Sequence, residues 1–228
     1  MKRLVSLFLL ITILVVAIVV AIRVRTGAAP SGQPLDPRVL PIAPDLDSLP
    51  ADSVWFGQVL HDRREQVDSF RGPDSPLEDR DRTDFQGLSH WPPDPTWRFT
   101  LRLEPFARPD SVVLLDTKGK ERTFLRAGRF RFQVAGREQF LTLYRQTYQN
   151  YWFLPFRDAT AGSETYEVGR YVEPRELGEG RFEVDFNRAY NPYCAYSHRW
   201  ACPIPPAENR LAIPIRAGEK IFHPASKN

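Results

Sequence analysis

Trp97-Arg98-Phe99-Thr100-Leu101-Arg102-Leu103 decides the fold class of this chain. Trp97, Phe99, Leu101 and Leu103 alternate with Arg98, Thr100 and Arg102, so a β-strand here turns a wholly apolar row to one face and a polar row to the other. Working outward, Val112 to Leu115 and Arg122 to Arg126 flank Asp116-Thr117-Lys118-Gly119-Lys120, a hairpin turn whose glycine accepts positive φ. Phe130, Phe132 and Val134 resume the alternation after Ala127-Gly128, and Phe140 to Tyr144 follow a turn at Gly136. Further strands are expected at Tyr151 to Phe156, Tyr166 to Val172, Arg181 to Asn187 and Leu211 to Ile215. No long helical period separates them, which excludes a parallel α/β sheet. The 21 prolines against 13 glycines agree with many extended, turn-bounded segments. The expected fold is all-β: a single antiparallel sandwich or barrel-like domain, with one short helix before it between Val59 and Phe70, ended by Gly72 and Pro73.

Upstream of that domain the chain changes character twice. Met1, Lys2 and Arg3 precede Leu4 to Ile22, a run without charge that Arg23 and Arg25 close. As a helix it is about 28 Å long, close to the hydrocarbon thickness of a bilayer. The small residues Gly27, Ala28 and Ala29 come only after the arginines, so a retained transmembrane anchor is expected, with a cleaved signal as the alternative. Pro30, Pro34, Pro37, Pro41, Pro44 and Pro50 then mark an extended spacer. The organisation read from the sequence is an anchor over 1–25, a proline-rich linker over 26–51 and a β-rich domain over 52–228. The N-terminus is expected in the cytoplasm and the domain outside it. The 31 basic and 28 acidic residues are interspersed and leave a net charge of +3, which marks no face for a polyanion and argues against nucleic acid.

The C-terminal third carries the most distinctive sequence. Leu154-Pro155-Phe156-Arg157-Asp158-Ala159-Thr160-Ala161-Gly162-Ser163-Glu164-Thr165-Tyr166 is followed by Gly169-Arg170-Tyr171. Asp185 to Tyr196, Cys202 to Leu211 and Ala217-Gly218-Glu219-Lys220 complete the series, with Ser75-Pro76-Leu77 upstream. Over about residues 60 to 228 these blocks resemble the bacterial family catalogued as domain of unknown function 1684. Glu167 and Val168 depart from the pattern, which has glycine at this point. The resemblance implies one β-rich domain and supplies no mechanism.

Asp158 opens a turn in which Asp, Thr and Ser side chains bond nearby amides, or else faces a pocket. Asp185 and Asn187 project from one face of a strand while Phe182, Val184 and Phe186 project from the other. Arg170, Arg188 and Arg210 are the available partners, and a buried carboxylate paired with arginine serves structure. A hydrolase would instead use two carboxylates with unlike pKa values, Asp158 with Asp185 or Glu208. Cys194 and Cys202 are the only cysteines, and outside the cytoplasm an even count predicts a disulfide, worth about 2.5 kcal/mol for so short a loop. His198 and His223 would complete a zinc site with them, but the close Cys and His pairs of such sites are missing, so no metal and no cofactor is expected.

Tyr144, Tyr148, Tyr151, Trp152, Phe153, Phe156, Tyr166, Tyr171, Tyr190, Tyr193, Tyr196 and Trp200 either build the core or line a cleft for a sugar ring or peptide. No nucleophile elbow, phosphate loop, dinucleotide fingerprint or His-Glu-x-x-His motif occurs. The reading that follows is a membrane-anchored envelope module that binds an unidentified envelope ligand or protein. Its candidate site is Asp158, Arg170, Tyr171, Asp185, Asn187, Asn191 and Glu208. A carboxylate hydrolase and a purely structural module are the alternatives.

Overall fold

The computed structural model describes residues 51–146 and 151–223. The expected anchor Leu4 to Ile22, the linker up to Pro50 and Tyr148 lie outside the described residues, and no described helix is long and apolar enough to cross a membrane. Helix α1, Ala51–Arg71, is far longer than the short helix expected. The added residues, 51–58, precede Val59, where the sequence reading began the helix, and Arg63, Gln66 and Phe70 fall on one face of it at three- and four-residue spacing, two of them polar. The amide of Gly72 bonds the Ser69 carbonyl and Pro73 stops the helix. A single turn, α2 (Asp79–Arg82), follows.

Among the described residues, seven strands form one sheet: β1 Arg98–Leu115, β2 Glu121–Val134, β3 Arg137–Gln146, β4 Tyr151–Phe156, β5 Arg170–Val172, β6 Arg175–Gly178 and β7 Arg181–Asp185. Their order is β5-β4-β3-β2-β1-β7-β6 and each neighbouring pair is antiparallel. The fold is therefore mostly β, a curled antiparallel half-barrel sheet with few helices, rather than a two-sheet sandwich.

The strands expected separately on either side of Ala127-Gly128 are one strand, as are those on either side of residues 104–111. Between Pro105 and Asp110, β1 bulges outward opposite the single residue Ala127, which is itself extra in the β2–β3 ladder. An odd number of extra residues, three in β1 and one in β2, reverses the parity of a strand, so each changes the face that its apolar side chains cover. Gly128 is required at this bend, because a Cβ there would lie 2.5 Å from the Glu104 carbonyl oxygen.

Two cores result. Leu101, Phe130, Leu141, Leu143, Leu154, Val172, Phe182 and Phe186 form the larger one, under a C-terminal segment that contributes Leu211, Ile213, Ile215 and Ala217. Leu114, Phe124, Tyr144, Phe153, Tyr171, Cys194 and Cys202 form the second. The adjacent pairs Leu143/Tyr144, Phe153/Leu154 and Tyr171/Val172 each send one side chain to either core, as a strand covered on both faces must. Each large side chain so buried contributes about 1.5–3 kcal/mol. Phe70, Leu77 and Tyr196 make a third, smaller cluster.

Leu211 to Ile215 is not a strand. Its alternate side chains are buried as period two predicts, yet its backbone-to-backbone bonds among the described residues are Leu211 N to Arg157 O (2.8 Å) and Ala159 N to Ile213 O (3.1 Å), and Pro214 donates nothing. Tyr166 to Val172 shortens to β5 because Gly169 sits at φ 130°, hard against Phe156 O.

Candidate functional site

The expected site residues divide among three places. Most belong to a polar spine sealed beneath the C-terminal segment. Arg170, the first residue of edge strand β5, is fully buried, and its Nη1 donates to the carbonyls of Ala217 (2.5 Å) and Glu219 (3.1 Å). Its Nη2 donates to Ile215 O (2.8 Å) and to Asp158 Oδ1 (3.4 Å), and the guanidinium lies between the rings of Phe156 and Trp91. Burial lowers the pKa of Arg170, and Asp158 opposes that shift. Asp158 takes its remaining bonds from Thr160 Oγ1 (2.8 Å) and Ile215 N (2.6 Å), so the turn expected here exists and its carboxylate also clamps the C-terminal segment.

Asp185 and Asn187 are equally enclosed. Asp185 Oδ1 accepts from the Asn187 amide (3.0 Å) and Nδ2 (2.9 Å), capping the short turn Phe186–Arg188, and Arg188 approaches Oδ2 at 3.4 Å. Asn187 also exchanges bonds of 2.8 Å with the backbone of Asp94. Arg63 of α1 joins this region by donating to Trp91 O and Asn187 O. Glu208 lies apart: it accepts from the Tyr144 hydroxyl and pairs with Arg126 at 3.2 Å. Burial and that carboxylate raise the Tyr144 pKa. Neither Asp158 with Asp185 nor Asp158 with Glu208 forms a catalytic pair facing a common opening, because each carboxylate is turned to its own partners.

Two spine residues escaped the sequence reading. Glu219 is buried, accepts from Tyr196 Oη, Asn191 N (3.0 Å) and Gln66 Nε2 (3.3 Å), and is pushed up to about 7 by desolvation despite those bonds. Its only signal was its place in Ala217-Gly218-Glu219-Lys220. Asn209 joins β3 to the end of β4 through Thr142 N (2.7 Å), Thr142 O (2.9 Å) and Pro155 O (2.7 Å), where the two strands have ceased to pair.

Tyr171 and Asn191 belong instead to the rim and floor of a cleft of about 500 Å³. Its walls are aromatic: Phe70, Tyr151, Phe153, Tyr171, Tyr190, Tyr193 and Trp200. Tyr171 stands edge-on to Phe153 (4.7 Å between ring centres) and Tyr190 (5.8 Å), and Tyr193 tilts against Trp200 at 5.2 Å. Tyr193 and Trp200 are 46% and 37% exposed, unusually open for large rings. Gln66, Glu173 and Arg188 add polarity to the lining. The aromatic residues therefore serve both roles weighed from the sequence, Tyr144, Phe153 and Phe156 as core and Tyr193 and Trp200 as cleft. Glu173 and Gln66 carried no sequence signal, being isolated polar residues on a strand end and a helix.

The expected disulfide is absent. Cys194 and Cys202 are free, buried thiols that meet in space as their loop predicts, but Cys202 Sγ faces the Cys194 amide at 3.2 Å instead of bonding its sulfur. The turn Tyr193–Ala195 presents backbone rather than side chain at that point. A hydrogen bond from Cys202 lowers the Cys194 thiol to about 7, and the same interaction holds the Cys202 proton more tightly. The backbone amide of His198 bonds Glu78 at 3.0 Å, and no metal-holding group of three His, Cys, Asp or Glu occurs among the described residues.

Fold and cleft together define a mostly β domain built on a curled half-barrel sheet with an aromatic cleft on it. The chain belongs to the family described as "Protein of unknown function (DUF1684)", which matches residues 83–220, as the motif resemblance led one to expect. A solution NMR structure of an uncharacterized protein from Haloarcula marismortui is similar, at 35% identity and a TM-score of 0.59, over 74% of this chain and 95% of that one. No curated protein matches the chain.

Proposed function

We propose that the domain is a non-catalytic binding module whose small ligand occupies the aromatic cleft, and that Leu4 to Ile22 tethers it to a membrane with the domain on the extracytoplasmic side. The observation that carries the binding reading is the exposure of Tyr193 and Trp200 at the mouth of a cleft of about 500 Å³, a volume within the range of small-ligand sites. Rings that served only packing would be covered, as Phe156 and Tyr144 are. Glu173 is the one carboxylate in the lining, so the two-carboxylate chemistry of a hydrolase has no pair to work with there.

The test is a thermal-shift screen of the full chain, in detergent, against small molecules below about 1 kDa fractionated from cell extract. A fraction that raises Tm in the wild type and loses that effect in Tyr193→Ala supports the reading. Stabilisation that survives Tyr193→Ala and Trp200→Ala, or none from any fraction, overturns it. The tether rests on the uncharged run alone, and predicts that the chain stays with membranes through high-salt and alkaline washes.

A further inference from the structure

The cleft's hydrogen-bonding groups are unevenly occupied. Tyr171 donates its hydroxyl proton to Pro203 O (2.5 Å), Tyr190 donates to Glu173 Oε1 (2.9 Å), and Trp200 Nε1 donates to Pro76 O (3.3 Å). Gln66 Nε2 and Asn191 Nδ2 are both taken by Glu219. Arg188 is engaged by Asp62 and Asp185. The donors of these lining residues are thus directed back into the protein. An acceptor is left over: Glu173 Oε2 receives no bond among the described residues.

Glu173 Oε2 therefore favours a ligand that brings a donor, and the exposed Tyr193 hydroxyl can accept from that ligand as well. The electron-rich faces of Tyr193, Trp200 and Tyr190 beside a carboxylate favour positive charge in addition, since a cation over an aromatic face is attracted by the ring quadrupole. Arg188 does not cancel this preference, because two carboxylates already neutralise it. From this combination of occupied donors, an open carboxylate oxygen and exposed rings we infer that the cleft takes a small organic ammonium ion, its N–H groups on Glu173 and its body against Tyr193 and Trp200. The inference rests on the binding role proposed for the cleft and adds the chemical class of its ligand.

Isothermal titration of the full chain in detergent with benzylammonium, benzyl alcohol, benzoate and methyl β-glucoside isolates charge, since the first three share one ring. The expected result is at least tenfold tighter binding of benzylammonium than of benzyl alcohol, no binding of benzoate, and loss of the preference in Glu173→Gln. That variant keeps an acceptor for Tyr190, and Glu173 is exposed, so the fold tolerates it. A preference for benzyl alcohol, benzoate or the glucoside overturns the ammonium assignment while leaving the cleft a binding site. An ammonium preference that survives Glu173→Gln overturns the role of Glu173 and with it the inference. Binding of none of the four overturns the ammonium assignment, and no stabilising fraction in the thermal-shift screen then overturns the cleft as well.

Discussion

The spine and the cleft are both rich in polar and aromatic groups, lie close together through Asn191 and Gln66, and differ in one respect: in the spine nearly every group is answered from within the chain. Arg170 makes four bonds with its two terminal nitrogens and Asp158 accepts from both sides. In the cleft, rings stand open and Glu173 keeps an oxygen unbonded among the described residues. Groups already satisfied have little to offer a ligand, so concentration of polar residues in a conspicuous block is a poor guide to a site, and unanswered groups on a concave surface are a better one.

The sharpest way to break this contrast is Asp158→Asn. It removes the charge that compensates a wholly buried guanidinium and places an amide N–H where Thr160 and Ile215 donate. The expected loss is about 3–5 kcal/mol, seen as a fall in Tm of about 10 °C or more. Asp185→Asn should cost less, about 1–2 kcal/mol, because Arg188 is partly exposed and keeps Asp62. Equal losses would show that exposure of the partner is irrelevant, and no loss for Asp158→Asn would return that residue to candidacy as a ligand group.

Next in size is a pH effect hidden by compensation. Glu219 is pushed up from 4.5 to about 7 by burial, so its contribution is full below pH 4.5 and disappears as pH rises through 7. His90 is pushed down from 6.5 to about 4, first by burial and then by Arg63, so its contribution is full above pH 6.5 and disappears as pH falls through 4. Each is worth about 3 kcal/mol across its window, with opposite sign, and the pair together leaves little slope between pH 4.5 and 6.5. In His90→Gln the denaturant midpoint should fall steadily as pH is raised from 4.5 to 7, and in Glu219→Gln it should rise from 4 to 6.5. Two flat profiles would show that neither group titrates differently in the folded state.

The smallest stability effect belongs to the cleft. Tyr193→Ala removes a ring that is nearly half exposed and should change unfolding free energy by only about 0.5 kcal/mol. The same change should weaken benzylammonium binding about tenfold, which corresponds to roughly 1.4 kcal/mol. A loss of stability comparable to that of Asp158→Asn would place Tyr193 with the spine and erase the difference between the regions.

The sequence by itself determined the β class, the strands from Trp97 to Phe156 and the hairpin at Gly119, because period-two alternation and turn chemistry are local properties of neighbouring residues. It also carried the family, through motifs long enough to be recognised. It misjudged Ala127-Gly128 as a break between strands, since a bulge and a turn use the same small residues and only the ladder on either side tells them apart. The helix was legible from Val59 onward but not over residues 51–58, and the polar partners of Arg63 and Gln66 on its inner face come from far along the chain, where no local pattern reaches. The assignment of Asp158, Arg170, Asp185 and Asn187 to glue, and of Tyr193, Trp200 and Glu173 to a cleft, was decided by tertiary structure alone. Whether a polar group is free depends on which distant carbonyl or amide arrives beside it, and that is fixed by how the C-terminal segment crosses the sheet rather than by any pattern in the residues themselves.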